Sequence, residues 1–156
     1  MSPSTRRLLI AAGLFSALEL CAGPALAGEE PSAQKPEYYA EDIKSTMVKH
    51  IQATVDGDGI FHMRDDKTEE MLALKFVRIH DPVRQIGTDS YFACTDFHVV
   101  GKPDKLYDLD FWMNDKTGEL SVYQSKVHKE PRWSLLYGWY KQPRYTFVND
   151  EIQYLY

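Results

Sequence analysis

Cys94, Asp96 and His98 occupy alternate positions of one aromatic-rich run, and Asp108 and Asp110 occupy alternate positions of the next. Thiol, imidazole and carboxylate are ligands for divalent metals, and the same groups serve acid/base or nucleophilic chemistry. Any of these uses needs the groups within a few ångströms of one another. Alternate residues of a strand share a face, so the two runs converge only if they pair as a hairpin. A turn at 101–105 with Val100 opposite Leu106 sets His98 against Asp108, Asp96 against Asp110 and Cys94 against Trp112. On that register Asp96, His98, Asp108 and Asp110 form a candidate metal set on the outer face of a sheet. The competing explanation is a solvated face, because antiparallel sheets commonly turn one side to water. Clustered carboxylates raise one another's pKa unless a cation sits among them, and Arg78 or Arg132 is a candidate for that place. A Cys94 nucleophile served by His98 fails on distance, since four residues of strand span about 13 Å. Only His128, or another residue of a neighbouring strand, would bring an imidazole to Cys94.

The opposite face of the same two runs carries Tyr91, Phe97 and Phe111 among other apolar residues. It predicts the core side of the sheet. If a helix covers this side as an arch, Tyr91, Phe97 and Phe111 are the candidate lining of a ligand pocket in the concavity between helix and sheet.

The elements that must position these groups follow from periodicity. Ala40, Ile43, Met47, Val48, Ile51 and Val55 recur at helical spacing within Tyr38 to Val55, ahead of Gly57 and Gly59. From Ile60 the period becomes two. Strands are predicted at Ile60 to Arg64, Met71 to His80, Val83 to Ile86, Tyr91 to Val100, Leu106 to Met113 and Glu119 to His128, separated by Asp, Gly and Pro turns. Residues 131–156 are rich in aromatics; Trp133, Leu136, Tyr137 and Tyr140 suggest a short helix, Arg144 to Val148 a last strand. Most of those rings are expected to fill the core.

The predicted class is α+β, an N-terminal amphipathic helix followed by a curved antiparallel meander in one domain at 37–156. A helix followed by a sheet with turns such as Asn114-Asp115-Lys116-Thr117-Gly118-Glu119-Leu120 resembles, as a layout, cystatin-like folds and the small PepSY domains of exported bacterial proteins. The resemblance implies a fold and transfers no functional residue.

Arg6 and Arg7, the apolar run Leu8 to Leu20 and Ala25-Leu26-Ala27 read as a secretory signal peptide at 1–27. A polar leader at 28–36 follows it. The paired arginines also resemble a twin-arginine export signal, with general secretion the commoner alternative. The expected location is therefore outside the cytoplasm, most naturally a bacterial periplasm. The chain has 18 basic and 23 acidic residues; without Arg6, Arg7 and Glu19 its net charge is −6. Net acidity argues against nucleic acid and against purely electrostatic attachment to anionic lipid. No transmembrane segment is predicted in the mature chain, and no cofactor other than a divalent metal suggests itself. These features predict an exported, non-catalytic module binding a partner protein, peptide or small ligand in the helix/sheet concavity. The alternative is a protein that binds or uses a divalent metal through the His/Asp set.

Overall fold

The computed structural model describes residues 37–156, so the expected signal peptide and leader lie outside the described residues. Those described form a sheet-rich domain with one helix and antiparallel strands. Helix α1 (Ala40–Thr54) begins where the Asp42 carboxylate accepts the backbone N–H of Tyr39 at 2.9 Å. Glu41 and Asp42 put negative charge in its first turn, as the helix dipole favours. Ile43, Met47 and Ile51 recur one turn apart and are the residues it buries.

Seven strands make the main sheet: β1 (Phe61–Arg64), β2 (Met71–Ile79), β3 (Arg84–Ile86), β4 (Ser90–Val99), β5 (Lys102–Asn114), β6 (Ser121–Ser134) and β7 (Gly138–Pro143). The order is β1-β2-β4-β5-β6-β7, with β3 also on β4. β2 and β3 both pair with β4, separated by the Asp81–Pro82 corner, where proline offers no ladder donor. β8 (Tyr145–Val148) and β9 (Glu151–Tyr154) form a separate hairpin.

The side of β4 and β5 that faces α1 is solid. Tyr91, Phe97 and Phe111 are buried there with Ile43, Met47 and Ile51. Phe61 lies 5.2 Å from Phe97 and 5.9 Å from Phe111 between ring centroids, and Tyr38 packs edge-on against Tyr91 at 5.6 Å. This corrects the expectation of a pocket lined by Tyr91, Phe97 and Phe111. Rings of that size, met by the helix's own apolar stripe, fill the space under it and leave these three residues as core.

The hairpin register also differs from expectation, by two residues. The chain turns at Val100–Gly101, with Gly101 in the left-handed region at φ 73°, and β5 starts at once with Lys102. Val99 pairs with Lys102 but His98 pairs with Leu106, so Pro103, Asp104 and Lys105 bulge from the ladder. Asp96 therefore faces Asp108, Cys94 faces Asp110 and Phe92 faces Trp112. An even displacement keeps every side chain on its face and changes only its partner.

Instead of a short helix, the segment after Pro131 continues β6 into a hairpin with β7, closed by Ser134 opposite Gly138. Gly138 adopts φ 68°, which suits the end of a three-residue hairpin loop. Trp133, Tyr137, Trp139, Tyr140, Tyr154 and Tyr156 are exposed, and Tyr145 is buried, so most of the C-terminal rings are surface and not core.

Met47 is fully buried between helix and sheet. Met47→Ala is expected to destabilise the domain by about 2–5 kcal/mol, seen as a lower urea midpoint with the slope retained. An unchanged midpoint would mean that α1 does not close this core.

Candidate metal centre

The middle of the β4–β5 face turned away from α1 is buried. Asp96, Asp108 and Asp110 are 2%, 0% and 0% exposed. Strand β7, three places from β4 in the sheet, delivers Lys141 onto Asp96, and β8 delivers Tyr145 onto Asp110. The sheet therefore curls over this face, and the β8–β9 hairpin shares in covering it. Phe92, Trp112 and Phe147 continue the cover as a ring cluster, with centroids 5.1 Å apart for Phe92 and Trp112 and 5.0 Å for Phe92 and Phe147.

Two bulges bring in groups that simple alternation would place elsewhere. On β2 the ladder passes from Phe76 opposite Phe97 to Arg78 opposite Asp96, leaving Val77 as the extra residue. Arg78 consequently shares a side with Asp96. On β6 the ladder passes from Val127 opposite Leu109 to Lys129 opposite Asp108, and the extra residue is His128. A bulge re-aims its side chains, and here it sets His128 beside Asp110 and Cys94.

The three carboxylates are partnered unequally. Asp96 is saturated: Oδ2 accepts from Arg78 Nε at 3.1 Å and lies 2.9 Å from His80 Nε2, while Oδ1 accepts from Lys141 Nζ. Asp108 accepts from Lys129 Nζ at 2.8 Å through Oδ2 alone. Its Oδ1 is buried without a hydrogen bond, 3.9 Å from His80 Nδ1. Asp110 accepts the Tyr145 hydroxyl at 2.6 Å through Oδ2, and its Oδ1 is likewise buried without a hydrogen bond, 3.4 Å from His128 Nδ1. Among the described residues no lysine or arginine forms an ion pair with Asp110. Cys94 Sγ lies 3.8 Å from His128 Nδ1. One donor atom each from Cys94, Asp108, Asp110 and His128 fall within 4.8 Å of one another.

The expected set was Asp96, His98, Asp108 and Asp110. Asp108 and Asp110 belong to the group that converges; Asp96 belongs to a neighbouring one with His80 and Asp108, already occupied by cations. His98 is in neither. It sits opposite Leu106, and its Nδ1 contacts the carbonyl of Val99 at 3.1 Å. The two-residue change of register removes His98 from the carboxylates and puts Cys94 there. His128 and Tyr145 complete the site, and a bulge and a detached hairpin are not visible in a two-residue pattern. Of the arginines expected to relieve the carboxylates, Arg78 serves Asp96, whereas Arg132 pairs with Glu130.

The electrostatics separate two uses of Cys94. Burial first, and then the Asp110 carboxylate, push the thiol far above its ordinary pKa. Such a thiol is no nucleophile by itself. Tyr145 is pushed up by the same two causes and stays a hydrogen-bond donor. Burial would raise Asp96, but Lys141, His80 and Arg78 outweigh it and hold the carboxyl below the usual range.

No family model matches the sequence, and no curated protein or solved structure matches it.

Arg144 ties the covering hairpin down. It is buried, donates to Asp65 Oδ1 and Oδ2 at 2.6 Å each and to Glu130 Oε2 at 2.6 Å, and its backbone N–H donates to the His128 carbonyl at 2.8 Å. Burial would raise the Asp65 carboxyl, but Arg144 and the backbone amides of Lys67 and Thr68 prevail and lower it from 3.8 to about 2. A depressed acid stabilises the fold above its unfolded pKa, so this contribution is present above pH 3.8 and fades as pH falls towards about 2. Arg144→Met leaves Asp65 buried without its cation and Glu130 with Arg132 alone. It is expected to cost about 3–5 kcal/mol at neutral pH, with the deficit against wild type shrinking in melts below pH 3.8. A deficit independent of pH would show that Arg144 acts by packing alone.

Proposed function

We propose that the protein is an exported, non-catalytic module that holds one divalent transition-metal ion between Cys94, Asp108, Asp110 and His128, with zinc the best fit. The observation that carries this reading is the pair of buried carboxylate oxygens, Oδ1 of Asp108 and Oδ1 of Asp110, that accept no hydrogen bond. Each carboxylate has its other oxygen held by a protein donor, Lys129 for Asp108 and Tyr145 for Asp110. This is how outer partners orient metal ligands while leaving one oxygen available. An unpaired buried anion is costly, and a cation at the centre of the four groups would offset it.

The donor set points to the class of ion. One thiolate, one imidazole and two carboxylates suit tetrahedral Zn²⁺, whereas Mg²⁺ and Ca²⁺ take oxygen ligands in higher number. Metal–ligand bonds of about 2.0–2.3 Å at tetrahedral angles separate neighbouring ligand atoms by roughly 3.3–3.7 Å. The Sγ to Nδ1 distance of 3.8 Å and the Nδ1 to Oδ1 distance of 3.4 Å lie close to that range. With four protein ligands and burial on both sides no coordination position is left for substrate, which favours a structural or carrier site over a catalytic one. Binding would convert the Cys94 thiol to a thiolate with loss of its proton. Export rests on Arg6, Arg7, the apolar run and Ala25-Leu26-Ala27.

The test is made on the chain from residue 28 onward, stripped with chelator. Zn²⁺ at a hundred times its dissociation constant should stabilise it by about 2.7 kcal/mol in thermal melts, and Co²⁺ should give thiolate charge-transfer absorption and tetrahedral d–d bands. Cys94→Ser should abolish the charge-transfer band, and Asp110→Asn should abolish the thermal shift. If neither ion changes the melt or the spectrum, the metal reading fails. A shift that persists in both variants would place the ion elsewhere.

A further inference from the structure

We propose that the tip of the β6–β7 hairpin inserts into the interface of a lipid bilayer and holds the domain on a membrane surface. The inference is independent of the metal centre and rests on the most exposed apolar residues described. Leu135 and Leu136 are 86% and 83% exposed, adjacent, and followed by Tyr137 at 79%. They form the loop between Ser134 and Gly138, and beyond the last β5–β6 pair, Asp108 with Lys129, strand β6 pairs only with β7. The tip thus closes a stretch that is paired as a two-stranded ribbon.

The residues behind the tip are layered as an interface requires. Trp133 and Trp139 are cross-strand partners one pair below the Ser134–Gly138 closure of the loop, and Tyr140 follows opposite Arg132. Aliphatic side chains at the apex with Trp and Tyr just behind them match the depth order of a bilayer, where aromatic rings sit at the headgroup level. Lysines come next: Lys105 Nζ lies 4.1 Å over the Trp139 ring, and Lys102 and Lys105 line one depression with Glu70, Pro131 and Trp139. The stretch 131–148 contains no Asp or Glu, although the whole chain carries a net charge of −5. Global acidity argues against attraction through net charge; an apolar tip whose own stretch of sequence carries no acid needs no such attraction.

Size argues for lipid over protein. A three-residue loop and the rings beside it present roughly a few hundred Å², well short of the roughly 800 Å² per partner of a stable protein interface. Shallow insertion needs only about 5–10 Å of apolar depth.

The chain from residue 28, which keeps the whole described domain, is mixed with phosphatidylcholine vesicles and with vesicles containing phosphatidylglycerol. It should co-sediment with both, and its tryptophan emission should shift to the blue as Trp133 and Trp139 leave water. Leu135→Ser with Leu136→Ser should lower partitioning at least about tenfold while far-UV CD and melting temperature hold, because both side chains are exposed in the free protein. Absence of partitioning into either vesicle, or partitioning undiminished in the double variant, overturns the proposal. A concentration-dependent dimer that the same variant dissolves, seen without vesicles, would assign the tip to a second copy instead and equally overturn it.

Discussion

Moving an ionised carboxylate from water into a protein interior costs several kcal/mol unless cations and hydrogen bonds replace the lost solvent. Three such groups, Asp96, Asp108 and Asp110, occupy the middle of β4 and β5 on the side away from the helix. Everything on that side answers to them. β2 supplies Arg78, β6 supplies Lys129 and His128, β7 supplies Lys141 and β8 supplies Tyr145. A sheet with a plain polar face would have no reason to curl over it. This one must, because the donors that make burial tolerable are carried on its later strands.

Compensation is complete at one end of the row and incomplete at the other. Asp96 has two full cations and a histidine, and it behaves as the centre of an ion-pair network that joins β2, β4 and β7. Asp110 has a phenol and an imidazole, and one of its oxygens is left over. Buried polar groups without partners are uncommon in folded proteins, and those that persist mark strain, chemistry or an ion. Cys94 and His128, both able to ligate, stand with Asp110 and Asp108 in a group whose donor atoms fall within 4.8 Å of one another, which turns an anomaly of satisfaction into a ligand set.

The covering elements hold the site indirectly. Arg144, at the entry to β8, is clasped by Asp65 and Glu130, so the turn after β1 and the middle of β6 fix the start of the hairpin that bears Tyr145. Tyr145 stacks on His128 at 4.7 Å with the rings nearly parallel, which limits where the imidazole can turn. A surface hairpin of four-residue strands would be marginal alone. Here one buried guanidinium gives it an anchor.

The alternation of Tyr91 to Met113 was enough to predict two paired strands, their two faces and the residues of each, because the period of a strand is a local property of the backbone. The helical spacing of Ile43, Met47 and Ile51 similarly identifies the stripe that meets Phe97 and Phe111. What no local pattern contains is the partner of each residue. Pro103, Asp104 and Lys105 bulge out and move the pairing by two, Val77 and His128 interrupt the ladders on either side, and the aromatic segment doubles back as a ribbon in place of a helix. Each of these is settled by contacts between strands distant in sequence, where one extra residue in a ladder costs little locally and redirects a whole side chain. So Asp108 and Asp110 were legible as candidate ligands from spacing alone. His128 was legible as an imidazole that could reach Cys94; that these two, and not His98, stand beside the carboxylates was decided only when β4, β5, β6 and β8 came together.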